Sequence, residues 1–140
     1  MKPLAACVVV AMALSAAAGC SKQEDNQPPV ATATFSASRA KAPLGSPLDL
    51  TYRFVVAANA PAFEKDYKVL VHFLDSDDQL MWTDDHEPPT PTKDWKPGQR
   101  IEYSRTMFVP QYPYMGQTTI RVGLYDPETG ARRPLGGEND

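Results

Sequence analysis

The sequence predicts an all-β fold, an antiparallel β-sandwich of about seven short strands. Three observations carry the prediction. Apolar residues recur at every second position in several separate runs, the period of a strand with one buried face. Those runs are punctuated at close spacing by turn residues, and many of the chain's 14 prolines lie between them. No long stretch shows the spacing of an amphipathic helix. Two half-apolar sheets can bury their oily faces only against each other, so a sandwich follows.

The first element is an export signal. Residues 1–19 open with one positive charge at Lys2, run through the apolar segment Leu4 to Leu14, and end in the small residues Ser15 to Gly19. The apolar run is shorter than the roughly 20 residues that a membrane-spanning helix needs. Ala17-Ala18-Gly19-Cys20 resembles a bacterial lipobox, with Ala17 where leucine is usual. The resemblance implies cleavage before Cys20 and acylation of its thiol, and Ser21 in place of aspartate implies sorting to the outer membrane. One acyl chain anchors only marginally, whereas two or three attach a protein stably. Residues 20–30, with Ser21 to Pro29 reading SKQEDNQPP, offer nothing apolar to reward ordering and read as a flexible tether.

Residues 31–140 form the predicted sandwich domain. Ala31 to Ser38 is a weak first strand with Phe35 as its large residue. Leu48, Leu50, Tyr52, Phe54 and Val56 alternate with Asp49, Thr51 and Arg53, the pattern of a half-buried strand. Ala57 to Asp66 reads as a loop. Tyr67 to Leu74 is apolar almost throughout, which predicts a central strand covered on both faces. Ser76-Asp77-Asp78-Gln79 forms a tight turn into Leu80 to Thr83, closing a hairpin.

Glu87 to Pro97 holds four prolines and reads as a stiff surface loop. Lys96-Pro97-Gly98-Gln99 fits a type II turn, proline presetting one φ and glycine supplying the positive one. The strand that follows, Arg100 to Val109, has Ile101, Tyr103, Met107 and Val109 in phase; Arg105 breaks the pattern and suggests a bulge or an outward-leaning edge. Ile120, Val122 and Leu124 mark the next strand. Asp126 to Gly130 is a proline-led turn, and a short last strand runs near Arg132 to Leu135.

Composition narrows the function classes. Without residues 1–19 the chain has 13 Lys and Arg against 17 Asp and Glu, a net charge of −4. A weakly anionic domain lacks the clustered cations that phosphate contacts require, which excludes a nucleic-acid partner. Cys7 lies in the signal segment and Cys20 is the lipid site, so the domain has no cysteine pair for a disulfide. No Gly-x-Ser-x-Gly, HExxH, phosphate loop or nucleophilic cysteine is present, so the chain reads as non-enzymatic and cofactor-free.

Val71-His72-Phe73-Leu74-Asp75, Trp95-Lys96-Pro97-Gly98-Gln99 and Val122-Gly123-Leu124-Tyr125-Asp126 resemble a bacterial Ig-like or fibronectin-III-like sandwich family of envelope proteins. The resemblance covers roughly Leu44 to Leu135. It implies an Ig-like fold and brings no catalytic residues with it.

Several clusters are candidate ligand sites. Trp82, Asp84, Asp85, His86 and Trp95 combine aromatic platforms with polar groups, the combination that binds sugars when both indoles are exposed on one face. The competing reading has both tryptophans packing the sandwich edge while Asp84 and Asp85 cap the loop. His72 and His86, with Asp75, Asp84 or Asp85, could build a mixed nitrogen and oxygen metal site if they approach each other. Asp75, Asp77 and Asp78 carry the charge of a calcium loop without its glycine and distal glutamate, and fit a hairpin turn better. Met81, Met107 and Met115 could gather as soft copper ligands, although methionine more often fills core gaps. The expectation is a lipid-anchored envelope protein, facing the periplasm or the surface. Its sandwich would serve an interaction or structural role, with the membrane and an envelope protein or glycan as partners.

Overall fold

The computed structural model describes residues 27–137. The expected signal segment, Cys20 and most of the expected tether lie outside the described residues.

Eight strands form two four-stranded sheets packed face to face. One sheet has the order β5-β2-β1-β8, built from β1 (Ala31–Ala37), β2 (Pro47–Val56), β5 (Arg100–Phe108) and β8 (Leu135–Gly136). The other has the order β4-β3-β6-β7, from β3 (Lys68–Leu74), β4 (Leu80–Thr83), β6 (Thr119–Tyr125) and β7 (Arg132–Arg133). All pairings are antiparallel except the short one between β1 and β8.

The alternation in β2 sets the core. Leu48, Leu50, Tyr52, Phe54 and Val56 are all buried, and the residues between them stay open to solvent to differing degrees. Opposite lie Val69, Val71 and Phe73 of β3 with Val122 and Leu124 of β6. Leu70 and Leu74 are buried on the other face of β3, as its near-continuous apolar run predicts. A Cβ at Gly123, paired with Leu70, would meet Arg132 Nη1 at 2.9 Å, so the missing side chain lets the arginine lie across that outer face.

Three expectations are corrected. Arg105 marks no bulge: the β2–β5 register runs unbroken from Pro47↔Phe108 to Val55↔Arg100. Arg105 pairs with Leu50 and shares the inner side with Ile101, Tyr103 and Met107. The irregularity lies instead in the β3–β4 hairpin, between Phe73 and Leu74. The last strand is two strands: Pro134, which lacks an N–H, separates Arg132–Arg133 on β6 from Leu135–Gly136 on β1. That switch joins the sheets along one side, and the Pro134 carbonyl accepts from Val30 N–H at 2.9 Å.

Glu87 to Pro97 does not stay on the surface. Its middle forms a 3-10 turn at Thr92–Asp94, and both Thr92 and Trp95 are buried. Thr92 Oγ1 accepts the Tyr67 N–H at 2.7 Å and donates to the Lys65 carbonyl at 3.3 Å. Trp95 packs against Phe54 and Phe63, with ring centroids at 5.2 and 5.8 Å, and plugs one end of the core. The prolines shape the loop, but apolar burial decides where it lies.

The turns follow their sequences. Gly98 takes φ 75° and Gln99 N–H reaches the Lys96 carbonyl at 3.0 Å. Asp78 takes φ 59°, while Asp75 Oδ1 accepts the N–H groups of Asp77 and Gln79, both at 2.9 Å. Asp126 holds the last turn by accepting from Glu128 N–H, Thr129 Oγ1 and Lys65 Nζ, the last at 2.6 Å.

Two outcomes test this account. Phe54→Ala should cost about 3–5 kcal/mol of unfolding free energy in urea titrations, because a fully buried ring leaves a cavity. Lys65, followed by the hydrogen bond from Glu128 N–H, holds the Asp126 carboxyl down at about 2. A carboxyl depressed in the folded state contributes stability above its unfolded value, and the contribution disappears as pH falls from about 4 towards 2. Asp126→Asn should therefore flatten the acid limb of the stability curve in that window and lower stability at pH 7.

Candidate functional site

The alternation of β4 continues past its end and divides the acidic segment between two faces. Val69 pairs with His86 in an isolated bridge, its N–H reaching His86 O at 2.8 Å and its carbonyl accepting from His86 N–H at 3.0 Å. Trp82, Asp84 and His86 therefore turn inward, towards the opposite sheet. Thr83 and Asp85 turn outward; Thr83 pairs with His72, and Asp85 Oδ1 accepts the Val71 N–H at 2.8 Å.

The inward set forms a polar cluster at the open edge between β4 and β5. Asp84 receives both Arg105 Nη2, at 3.3 Å, and Arg105 Nε, at 3.4 Å. The His86 ring is almost wholly buried, its Nδ1 2.8 Å from the Asp84 carbonyl and its Nε2 2.8 Å from the Tyr103 hydroxyl. Tyr52 lies edge-on to His86 at 5.0 Å and stacks on Tyr103 at 5.2 Å. Burial pushes the His86 pKa down, because a charged ring would lose its water. Burial likewise holds the protons on Tyr52 and Tyr103 far above the ordinary phenol range, and the Asp84 charge adds to both effects. Asp84 acts on the Tyr52 hydroxyl at short range, yet among the described residues no acceptor meets hydrogen-bond geometry with that hydroxyl. The cluster is a lock between sheets, with both His86 nitrogens engaged in hydrogen bonds.

The expected platform of two exposed indoles is not formed. Trp95 is only 4% exposed and gives its Nε1 proton to the Thr90 carbonyl at 2.9 Å. Trp82 stacks on Phe73 at 5.0 Å with rings 20° from parallel, and its Nε1 is buried without a partner among the described residues. Trp95 is packed into the core, whereas Trp82 is half-buried against Phe73 and Tyr112.

The two histidines of the metal alternative do not come together. His72 lies on the outer face between Thr83 and Arg121, with Nε2 4.0 Å from Asp85 Oδ1, whereas His86 points between the sheets. A sheet separates the two rings. Asp75 spends its carboxylate on the hairpin turn and Asp78 pairs with Arg121 at 3.3 Å, which accounts for that acidic run. Met107 is buried in the core while Met115 is 96% exposed, so the methionines do not form one set.

A second feature lies at the end of the sandwich remote from the chain's entry. β1 begins at Ala31 beside Val56 and finishes at Ala37 beside Leu50, so Val30 and the Pro134 crossing mark the entry end. At the other end, three loops are tied together. Gly45 N–H reaches the Val109 carbonyl at 2.7 Å, Ser76 N–H reaches Tyr114 Oη at 3.1 Å, and the Tyr112 ring lies 6.1 Å from Trp82. Among the described residues, six large apolar side chains are exposed, and Leu44, Leu80, Phe108, Tyr112 and Met115 are on or beside these loops.

Sequence reasoning missed Tyr52, Tyr103 and Arg105 as members of the polar cluster. Arg105 gave the one available signal, a charge standing in phase with apolar neighbours and so in need of a partner. No family model, curated protein or solved structure matches the chain.

Fluorescence quenching tests the placement of the two indoles. With Trp95 as the sole indole, in Trp82→Phe, acrylamide should quench weakly and emission should lie to the blue. With Trp82 alone, in Trp95→Phe, quenching should be stronger; the reverse order would contradict the packing described.

Proposed function

We propose that this protein is a non-catalytic interaction module of the bacterial envelope, an Ig-like or fibronectin-III-like sandwich tethered by lipid on Cys20. Its apolar end serves as the contact surface. The observation that carries the reading is the distribution of exposed apolar side chains. Single exposed hydrophobics are ordinary on a soluble protein, but their concentration at one end marks a contact site. Phe108 is 69% and Met115 96% exposed there, and a tether leaving through residues 20–30 would attach at the opposite end. An anchored domain of this shape presents its apolar end away from the membrane that holds it.

Further support comes from the sequence. The export pattern, the lipobox resemblance and Ser21 agree with an outer-membrane lipoprotein. The strand order, with β5-β2-β1 facing β4-β3-β6-β7, agrees with the Ig-like resemblance. The buried Trp95, the half-buried Trp82 and the divided histidines favour a protein partner over a glycan or a metal ion.

Each half of the proposal has its own test. In bacteria, Cys20→Ala should move the full chain from the membrane fraction to the soluble one, and mass spectrometry of the wild-type N-terminal peptide should find fatty acids. A peptide without them would end the lipoprotein reading. For the contact surface, a photo-crosslinking residue at position 115 should yield a discrete protein adduct in cells, lost in Phe108→Ser, while the purified variant keeps its stability within about 0.5 kcal/mol. Adducts arising only from positions at the entry end, such as Pro127, would place the contact elsewhere.

A further inference from the structure

His86 is gripped by both sheets. Its main chain is bonded to Val69 of β3, and its ring is bonded to Tyr103 of β5. The Asp84–Arg105 pair makes a second polar link across the same edge.

The proton positions within this cluster are forced. The Asp84 carbonyl can only accept, so Nδ1 of the neutral ring carries the proton and donates it there. Nε2 then holds a lone pair, into which the Tyr103 hydroxyl donates. A proton arriving at Nε2 meets that O–H head on and creates a cation where little water reaches.

The groups facing the ring are Asp84 from the segment after β4, Tyr103 and Arg105 from β5, and Tyr52 from β2, while Asp85 acts on it only at longer range from the outer face. β3 contributes the Val69 backbone, since His72 lies on its far side. Asp85 spends Oδ1 on the Val71 N–H. Asp84 Oδ2 stands 4.0 Å from Nδ1 but is already engaged by Arg105. One carboxylate would face two cations, and Arg105, with 38% of its side chain exposed, is the one with a route into water.

We propose that Asp84 is a shared anion which turns from Arg105 to the imidazolium of His86 in acid, so that Arg105 swings outward and the edge between β4 and β5 opens. The sandwich thereby carries an acid-operated clasp. Opening uncovers the stacked rings of Tyr52 and Tyr103. The clasp is independent of the apolar end, and its test does not depend on lipidation or on a partner.

The experiment is an NMR titration of the full chain in detergent from pH 7.5 to 5, with amide hydrogen exchange corrected for intrinsic rates. The Val69 and His86 amides should exchange about tenfold faster at pH 5, in step with protonation of the His86 ring, while the Phe54 amide stays protected. Arg105→Gln should move the imidazole titration to higher pH by removing the competing cation. Asp84→Asn, which keeps the shape, should move it lower, and a cluster that stays closed in acid would show no faster exchange at Val69 and His86. Equal acceleration at Phe54 would mean global unfolding and overturn the clasp. Unchanged exchange at Val69 and His86 would overturn it as well, as would a titration that both variants leave in place.

Discussion

Everything in this fold depends on excluding water between two sheet faces. The chain's two cysteines both precede residue 27, so no disulfide links the described residues to one another. The inner residues of β2 against those of β3 and β6 supply the apolar area, and burial of such side chains contributes roughly 1.5–3 kcal/mol each before the entropy of ordering is subtracted. A single sheet of this composition would leave that face wet, and its ladder alone would not hold it.

The same constraint creates the edge problem that the polar cluster solves. Edge strands expose unpaired backbone groups and the rim of the core. On one side the edge is closed by the short strands β7 and β8, which cross between the sheets at Pro134. On the other, β5 is nine residues long and lies opposite the much shorter β4. Arg105 is an inward-pointing charge on that long edge, which discourages another strand from adding there, and Asp84 and His86 extend the reach of the short strand beside it. Charge at that rim serves exclusion of other chains and closure of the core at once.

The two ends of the sandwich differ for a related reason. At the entry end, Trp95, Phe63 and Tyr67 fold inward as a plug, with rings 5.8 to 5.9 Å apart, and the Lys65–Asp126 pair fastens the rim. At the other end, the connecting loops bond to one another through backbone and tyrosine contacts and leave their apolar side chains outside. Stability needs one sealed end; the proposed function uses the unsealed one.

The strands were legible in the sequence because alternation is a local property. Leu48 to Val56, Tyr67 to Leu74 and Ile120 to Leu124 each declare their own inner face, and the Pro97-Gly98 and Asp126 to Gly130 turns declare their own geometry. The proposed export signal and lipid site at Cys20 likewise rest on neighbouring residues alone. Tertiary structure alone decided which outlying residues would meet. Trp95 sits in a proline-rich run that looks like surface, and only the proximity of Phe54 and Phe63 draws it inside. Asp84, Asp85 and His86 are adjacent in sequence, yet the two-residue period separates Asp85 from the others. Arg105 and Tyr103, some twenty positions further on, complete the cluster that sequence adjacency had assigned to Trp82 and Trp95. Contacts between distant segments are fixed by how sheets stack, and no window of sequence contains both sides of the stack.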